Sequence, residues 1–203
     1  SCSAESQPPT ATSVIQERCA TSEKTMASKI GILILTIILT PILAGVYGIL
    51  HDQISYSISP EYFTKSKFEQ FGFVEYGFEN ELATVAIIGF WATWWTGLII
   101  GAVNGIVGLI QPTTKMMRKS IYGATIRTLG IGIGIGLIGI VVGEFIISEI
   151  DGNWIIPENV KDKNDFLVVG TMHTFSYIGG LVGLIFGTIY QVRLKKDVAQ
   201  QRI

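Results

Sequence analysis

The chain is poor in charged residues, and this scarcity limits the kind of protein it can be. Asp, Glu, Lys and Arg together make up 15% of its 203 residues, whereas 48% of the residues are hydrophobic. Soluble domains typically carry about 25% charged residues. Together with a mean hydropathy of +0.46, this composition excludes an ordinary soluble domain and indicates a chain in contact with lipid.

Cysteine is also scarce, because the sequence contains only Cys2 and Cys19. Both lie in the first 25 residues, outside the apolar part of the chain, so a disulfide between them could not crosslink a bundle. They are separated by sixteen residues and have no histidine nearby, which makes a poor metal site. We assign them no role.

The sequence lacks the motifs that mark familiar catalytic or nucleic-acid sites. Nothing marks an activated serine, so a Ser-His-Asp arrangement is not supported. The glycine-rich run 130–136 lies inside an apolar segment rather than after a strand, which argues against a dinucleotide fingerprint. The basic runs 115–119 and 193–196 are explained by anchoring at lipid headgroups. We therefore predict no nucleic-acid partner and no organic cofactor site.

The chain contains four long apolar segments, at 30–50, 82–110, 128–147 and 166–190. A hydrocarbon layer about 30 Å thick needs roughly 20 apolar residues in a helix, and no water is available there to satisfy free backbone groups. The sequence predicts an all-α integral membrane bundle of four transmembrane helices over 27–191. A basic cytoplasmic tail is predicted over 192–203.

The distribution of charge predicts the orientation of this bundle, since cytoplasmic loops retain Lys and Arg. Eleven of the fifteen basic residues fall on one side if both termini are inside. These residues are Arg18, Lys24, Lys29, Lys115, Arg118, Lys119, Arg127, Arg193, Lys195, Lys196 and Arg202, against Lys65, Lys67, Lys161 and Lys163 on the other side. We expect an N-in/C-in protein of the bacterial cytoplasmic (inner) membrane, with the lipid bilayer as its main partner.

The first 26 residues are rich in Ser, Thr, Ala and Glu, and they have no apolar face. This composition predicts a disordered cytoplasmic tail rather than a signal peptide or a fifth span. Met26 directly precedes the first apolar segment, so either Met26 is the natural initiator or the tail is an upstream extension.

Small residues recur at helical spacing within the predicted spans, as in a glycine zipper. Helices in lipid associate by close backbone approach, which small residues permit. The stripes predict the contact faces of the helices; they are Ala44 and Gly48, then Gly97, Gly101, Asn104 and Gly108, then Gly132, Gly136, Gly139 and Gly143, then Gly179, Gly183 and Gly187.

Ionisable residues at the edges of these spans raise a functional hypothesis, because such groups are costly in lipid. Under the predicted topology His51, Asp52, Glu144 and His173 all fall near the outer side, and Glu61 follows in the next loop. Two imidazoles with carboxylates suit a divalent metal such as zinc, iron or copper, or a proton site. The alternative is interhelical hydrogen bonding that fixes helix register, because a dense ligand motif such as His-x-x-x-His is lacking.

The predicted external segment 55–81 interleaves charges with eight aromatic residues, Tyr56, Tyr62, Phe63, Phe68, Phe71, Phe73, Tyr76 and Phe78. Such a segment is expected to lie along the membrane interface, with its rings at headgroup level. In the alternative arrangement it folds back over the bundle and brings Glu61 near His51.

Several short motifs resemble those of a family of uncharacterised bacterial multi-pass membrane proteins. They are His-Asp-Gln at 51–53, Glu-Tyr-Phe-Thr at 61–64, Trp-Trp-Thr-Gly at 94–97, and His173-x-x-Ser-Tyr177. The resemblance implies a membrane protein without assigned activity and draws attention to Gln53, Tyr62, Thr64 and Trp95 as supporting residues. Position also suggests two more, namely Asn104 on a glycine stripe and Tyr177 on the same helix face as His173.

Three hypotheses about function remain open at this point. The first is a non-enzymatic membrane protein whose polar cluster supports assembly or binds an ion, a second copy or another membrane protein. The second is a metal-dependent or redox membrane enzyme that uses His51, His173 and a carboxylate. The third is a small transporter or channel subunit, for which four short helices would have to oligomerise to enclose a pore.

Overall fold

The computed structural model describes residues 11–147, 150, 152 and 154–200, and within this part of the chain it contains helices and no strand. Four helices are long and apolar enough to cross a membrane, which confirms the predicted all-α fold with four candidate spans. They are α1 (Ala11–Ile58), α4 (Glu81–Gly108), α5 (Thr114–Val142) and α6 (Lys163–Gln200). Two short helices, α2 (Pro60–Tyr62) and α3 (Phe68–Gln70), lie between α1 and α4.

Helices α1 and α6 extend beyond both ends of the apolar segments that predicted them, and α5 begins before its segment, whereas α4 ends at Gly108, before the predicted end at 110. Helix α1 includes every residue from Ala11 to Ile58, so residues 11–26 of the predicted disordered tail are helical; residues 1–10, including Cys2, lie outside the described residues. The stretch 11–29 contains no glycine or proline, and nothing in it breaks a helix that continues from the apolar segment. Helix α5 begins at Thr114, because the Thr113 hydroxyl caps it by accepting from the Met116 N–H.

The four helices pack as two hairpins, α1 with α4 and α5 with α6. In the first hairpin, Gly48 and Gly89 are so close that a Cβ on either glycine would overlap the backbone of the other. In the second hairpin, Gly179 lies against Gly132, and Gly183 lies against the backbone of Thr128. The predicted small-residue faces therefore lie mainly within the hairpins, where backbones approach closely. Gly108 is an exception, because it lies against Ile121 and Met117 of α5.

The segment Pro60–Glu79 folds over one end of the bundle. It contains α2, a π-helical turn at Phe63–Lys67, α3 and a 3₁₀ turn at Gly77–Glu79. Phe63 and Phe68 are fully buried and form a hydrophobic cluster with Val85 and Ile88 of α4. The expectation that all its rings lie along the membrane interface is wrong for these two phenylalanines, because they pack against apolar residues at the end of the hairpin formed by α1 and α4.

A buried polar network joins the helices at the opposite end of the bundle. The Lys29 ammonium donates to the carbonyl of Gln111 at 2.6 Å, and the Gln111 amide donates to the carbonyl of Gln191 at 2.8 Å. The Gln191 amide in turn donates to Oδ1 of Asn104 at 3.3 Å. These contacts link α1, α4 and α6, so the two hairpins are tied together away from the segment Pro60–Glu79.

Candidate metal centre

Two histidines and one aspartate meet where α1 and α6 approach each other. His51 and Asp52 lie about two turns before the end of α1, and His173 lies on α6. Oδ1 of Asp52 is 3.1 Å from Nδ1 of His51 and 3.2 Å from Nε2 of His173. All three side chains are at least nine-tenths buried. One ligand atom from each residue lies within 4.8 Å of the other two.

The hydrogen bonds of His173 require a cation between this ring and Asp52. Nδ1 of His173 is 2.9 Å from the carbonyl oxygen of Val169, which can only accept, so Nδ1 carries a proton. A neutral imidazole has a single N–H, and Nε2 then presents a lone pair to the oxygen of Asp52. Because two facing lone pairs repel, either a second proton or a metal ion belongs between them.

His51 is held in a corresponding way by a residue of α6. Its Nε2 lies 2.9 Å from Oγ of Ser176, while Nδ1 faces Asp52. The ring of each histidine therefore uses one nitrogen toward Asp52 and the other toward a fixed partner. Among the described residues Oδ2 of Asp52 has no hydrogen-bond partner although it is buried, so the carboxylate retains an unused acceptor.

Ser176 is a part of this cluster that the sequence reasoning did not single out. It lies three residues after His173, a spacing that places two side chains on one helix face, and this spacing was the available signal. The glycine at 136 on α5 leaves room for it, because a Cβ there would overlap the Ser176 hydroxyl.

Two of the predicted carboxylates do not join the cluster. Oε2 of Glu61 accepts from the backbone N–H groups of Lys161 and Asp162, at 2.9 and 3.0 Å. It thereby fastens the segment Pro60–Glu79 to the start of α6. Glu144 is exposed on the π-helical turn Gly143–Ile147, and it is not a member of the group formed by His51, Asp52 and His173.

The predicted supporting residues divide by position. The Tyr62 ring packs 4.9 Å from the His173 ring, and Trp95 and Tyr177 line a cavity next to the cluster. Gln53 donates to the carbonyl of Leu82, which joins α1 to the start of α4. Thr64 bonds only locally, to the carbonyl of Pro60. Asn104 belongs to the network at the opposite end of the bundle.

The cavity lies between the two hairpins and has a volume of about 330 Å³. His51, Asp52, His173 and Ser176 form part of its wall. Most of the remaining lining is apolar or small, and it includes Leu43, Ala44, Ile100, Leu129 and Leu184. The cluster is therefore the polar region of an otherwise largely apolar space.

The segment above the cluster also has perturbed ionisation. Burial, with a smaller effect from Asp52, raises the pKa of the Tyr62 phenol to about 12. Burial lowers the pKa of the Lys67 ammonium, and the attraction of Asp52 opposes this effect. Lys67 lies 5.6 Å from the centroid of the Tyr62 ring, so this cation is stacked over the aromatic residue that covers His173.

Comparison of the chain with protein-family models, with curated proteins and with solved structures finds no match.

Proposed function

We propose that this chain is a metal-binding membrane protein that holds a divalent transition-metal ion through His51, Asp52 and His173. The proposal rests on the convergence of three ligand atoms. The other nitrogen of each histidine ring is hydrogen-bonded to a partner outside this group of three residues. The proposal combines two of the hypotheses drawn from the sequence. It takes ion binding by a membrane protein from the first, and histidine and carboxylate ligands from the second.

The spacing of the ligand atoms supports a metal ion. Ligands bound to zinc at about 2.0–2.1 Å in tetrahedral geometry lie about 3.3 Å from one another. The two distances from Oδ1 of Asp52 are 3.1 and 3.2 Å. An ion at this position would also supply the cation that Nε2 of His173 requires, and Oδ2 of Asp52 is free to take part in binding it.

The outer contacts of the histidines support the same conclusion. A metal-bound histidine almost always donates its other N–H to a carbonyl, carboxylate or water, which fixes the ring and its tautomer. His173 donates to the Val169 carbonyl, and with a metal at Nδ1 the His51 ring donates from Nε2 to Ser176. Three protein ligands leave a fourth coordination position, as in catalytic rather than structural zinc sites.

Four helices that are long and apolar enough to cross a membrane support a membrane location for the proposed site. The predicted topology puts both termini in the cytoplasm and the cluster near the external face of a bacterial cytoplasmic membrane. The positive-inside distribution of Lys and Arg supports this placement.

Elemental analysis of the purified protein tests the metal site. We expect about one transition-metal ion per chain after dialysis, and loss of this ion in His51→Ala, Asp52→Asn and His173→Ala, because two remaining ligands bind weakly. Glu144→Gln and Glu61→Gln serve as matched controls, since both carboxylates were plausible ligands from sequence but lie outside the group. They should retain the ion.

Two results would contradict the proposal. Metal-free protein after purification and after incubation with Zn²⁺, Fe²⁺ or Mn²⁺ would show that a proton, not a metal, lies between His173 and Asp52. The cluster would then act only in holding α1 against α6. Equal metal content in wild type and in His173→Ala would place the ion elsewhere.

A further inference from the structure

We propose that the cavity between the hairpins binds a single-chain amphiphile with an acidic oxygen headgroup, such as a fatty acid. The hydrocarbon chain occupies the cavity, and the headgroup coordinates the metal ion. This inference rests on the proposed function, which supplies the ion, and adds the chemical class of its ligand.

The polarity of the cavity fits such a molecule. Ligand pockets are typically 300–1,000 Å³ and mostly apolar, with a few polar groups that fix orientation. This cavity has about 330 Å³, and its carboxylate and imidazole groups are those of the three cluster residues. Tyr47 and Ser176 also line it and have hydroxyl groups that can donate hydrogen bonds to an oxygen headgroup.

The length of the cavity fits one hydrocarbon chain. On α1 the lining runs from Thr40 to His51 and Asp52, and on α6 from His173 to Leu184. Eleven residues of helix span about 16 Å, and half of a hydrocarbon core is about 15 Å. A chain with its headgroup at the cluster would therefore reach about as deep as one leaflet.

The cavity reaches the lateral surface of the bundle. Trp95 and Ile99 of α4 line it and are 46% and 50% exposed, and Tyr177 and Leu181 of α6 line it and are 45% and 62% exposed. The Tyr177 hydroxyl donates to the carbonyl of Ala92 at 3.4 Å, so α4 and α6 are joined by a long, weak contact at this place. A molecule dissolved in the membrane can enter between these helices without passing through water.

Charge selects an acidic headgroup over a neutral one. A divalent ion bound by the Asp52 carboxylate and two neutral imidazoles leaves one net positive charge in a site of low dielectric constant. Uncompensated buried charge is costly, and a carboxylate at the fourth coordination position neutralises it. An alcohol headgroup would leave the charge in place.

Binding of radiolabelled dodecanoate to the full-length protein in lipid nanodiscs tests this inference, with empty nanodiscs measuring partition into lipid. Gly180→Phe fills the cavity, because Gly180 lines it and a Cβ built there meets no atom within 4 Å. Gly134→Phe is the matched control, since a Cβ at Gly134 is equally free and this residue is not part of the lining.

We expect saturable binding of about one dodecanoate per chain in wild type and in Gly134→Phe. The affinity should fall at least tenfold, equivalent to about 1.4 kcal/mol, in Gly180→Phe, and the metal content of that variant should be unchanged. Dodecanol should compete at least about tenfold less well than unlabelled dodecanoate.

Metal content is measured on the same samples so that the two proposals fail separately. Stoichiometric metal with no saturable dodecanoate binding, or with equal binding in Gly180→Phe, would overturn the amphiphile site alone. Equal competition by dodecanol would overturn coordination of the headgroup. Absence of metal in every preparation would overturn the proposed function and, with it, coordination of the headgroup.

Discussion

Asp52 is the residue on which the polar cluster depends, because a single oxygen of its carboxylate contacts both histidines. His51 is its neighbour in the chain, whereas His173 comes from the other hairpin. The side chain is only 4% exposed, and a carboxylate in such a place must be neutralised by a cation. This requirement is met by a metal ion or by a protonated histidine, and it makes Asp52 the residue whose removal affects both rings.

Lys67 gives a prediction about pH, because burial lowers its pKa from the usual 10.5. Between the lowered pKa and 10.5 the folded protein binds fewer protons than the unfolded chain, so the stability contribution of Lys67 becomes more favourable as pH rises through this range. The melting temperature of wild type relative to Lys67→Met should therefore increase as pH rises toward 10.5.

Thermal unfolding of both proteins in the same detergent, followed by circular dichroism, measures this difference. The raised pKa of Tyr62 acts in the opposite direction above pH 10, but Tyr62 is present in both proteins and its effect cancels in the comparison. A difference in melting temperature that stays constant or falls with pH would contradict the account.

Sequence reasoning at this scale identified the histidines but not all of their partners. His51 and His173 were predicted to come together because both fall near the outer side under the predicted topology, and the structure places their ring centroids 4.7 Å apart. Glu61 was placed among the candidates by its position in the chain, which does not show that two backbone N–H groups hold it elsewhere. Burial of Asp52 also depends on packing between the two hairpins, and no local sequence pattern predicts that packing.

The helices themselves show how glycine determines packing within each hairpin. On α1, Gly48 contacts the backbone of Gly89 and the side chain of Thr93, while Gly31 faces open space. The two positions lie on the same helix and have the same side chain, so they separate the effect of interhelical contact from that of helix propensity.

Gly48→Ala is expected to destabilise the protein, and Gly31→Ala is not. Forcing one additional carbon into a packed interface costs about 1–3 kcal/mol, whereas alanine at an open helical position is neutral or slightly stabilising. Thermal unfolding in detergent compares the two variants. Equal melting temperatures would show that α1 and α4 do not approach each other as closely as described.

The number and approximate position of the long helices could be predicted from apolar segments alone, but their ends could not. The predicted first span, 30–50, covers only the residues suited to the hydrocarbon layer. Helix α1 covers Ala11–Ile58 and stops where Ser59 becomes extended before Pro60. The segment Pro60–Glu79 was the least predictable, since rings such as Phe63 can anchor at an interface or pack inside. Which of these two positions the rings adopt depends on the apolar surface of α4 against which they can pack.

The described part of the molecule forms two hairpins that are hydrogen-bonded to each other at several depths and leave the cavity between them. Hydrogen bonds from His51 to Ser176 and from Gln191 to Asn104 connect the hairpins at different depths. Between these levels the small side chains of Ala44, Gly97 and Gly132 leave the space of the cavity. Close packing inside each hairpin and loose packing between hairpins together position a polar site beside an apolar chain-sized space.

The predicted orientation of the bundle can be tested with single thiols. In a background with Cys2 and Cys19 replaced by serine, Glu69→Cys lies at the predicted outer end and Arg118→Cys at the predicted inner end, and both positions are exposed. Because Lys and Arg are retained in the cytoplasm, a membrane-impermeant maleimide should label only Glu69→Cys in intact cells. Arg118→Cys should react after permeabilisation. The reverse pattern would invert the topology.

X-ray absorption at the K-edge of the bound metal tests the central claim most directly, because it identifies the ligands rather than only the ion. The account predicts nitrogen and oxygen ligands at about 2.0–2.2 Å with the multiple-scattering signature of two imidazoles. That signature should fall to one imidazole in any metal retained by His51→Ala. A spectrum without imidazole scattering, or one that does not change in His51→Ala, would show that the metal is not bound at His51, Asp52 and His173.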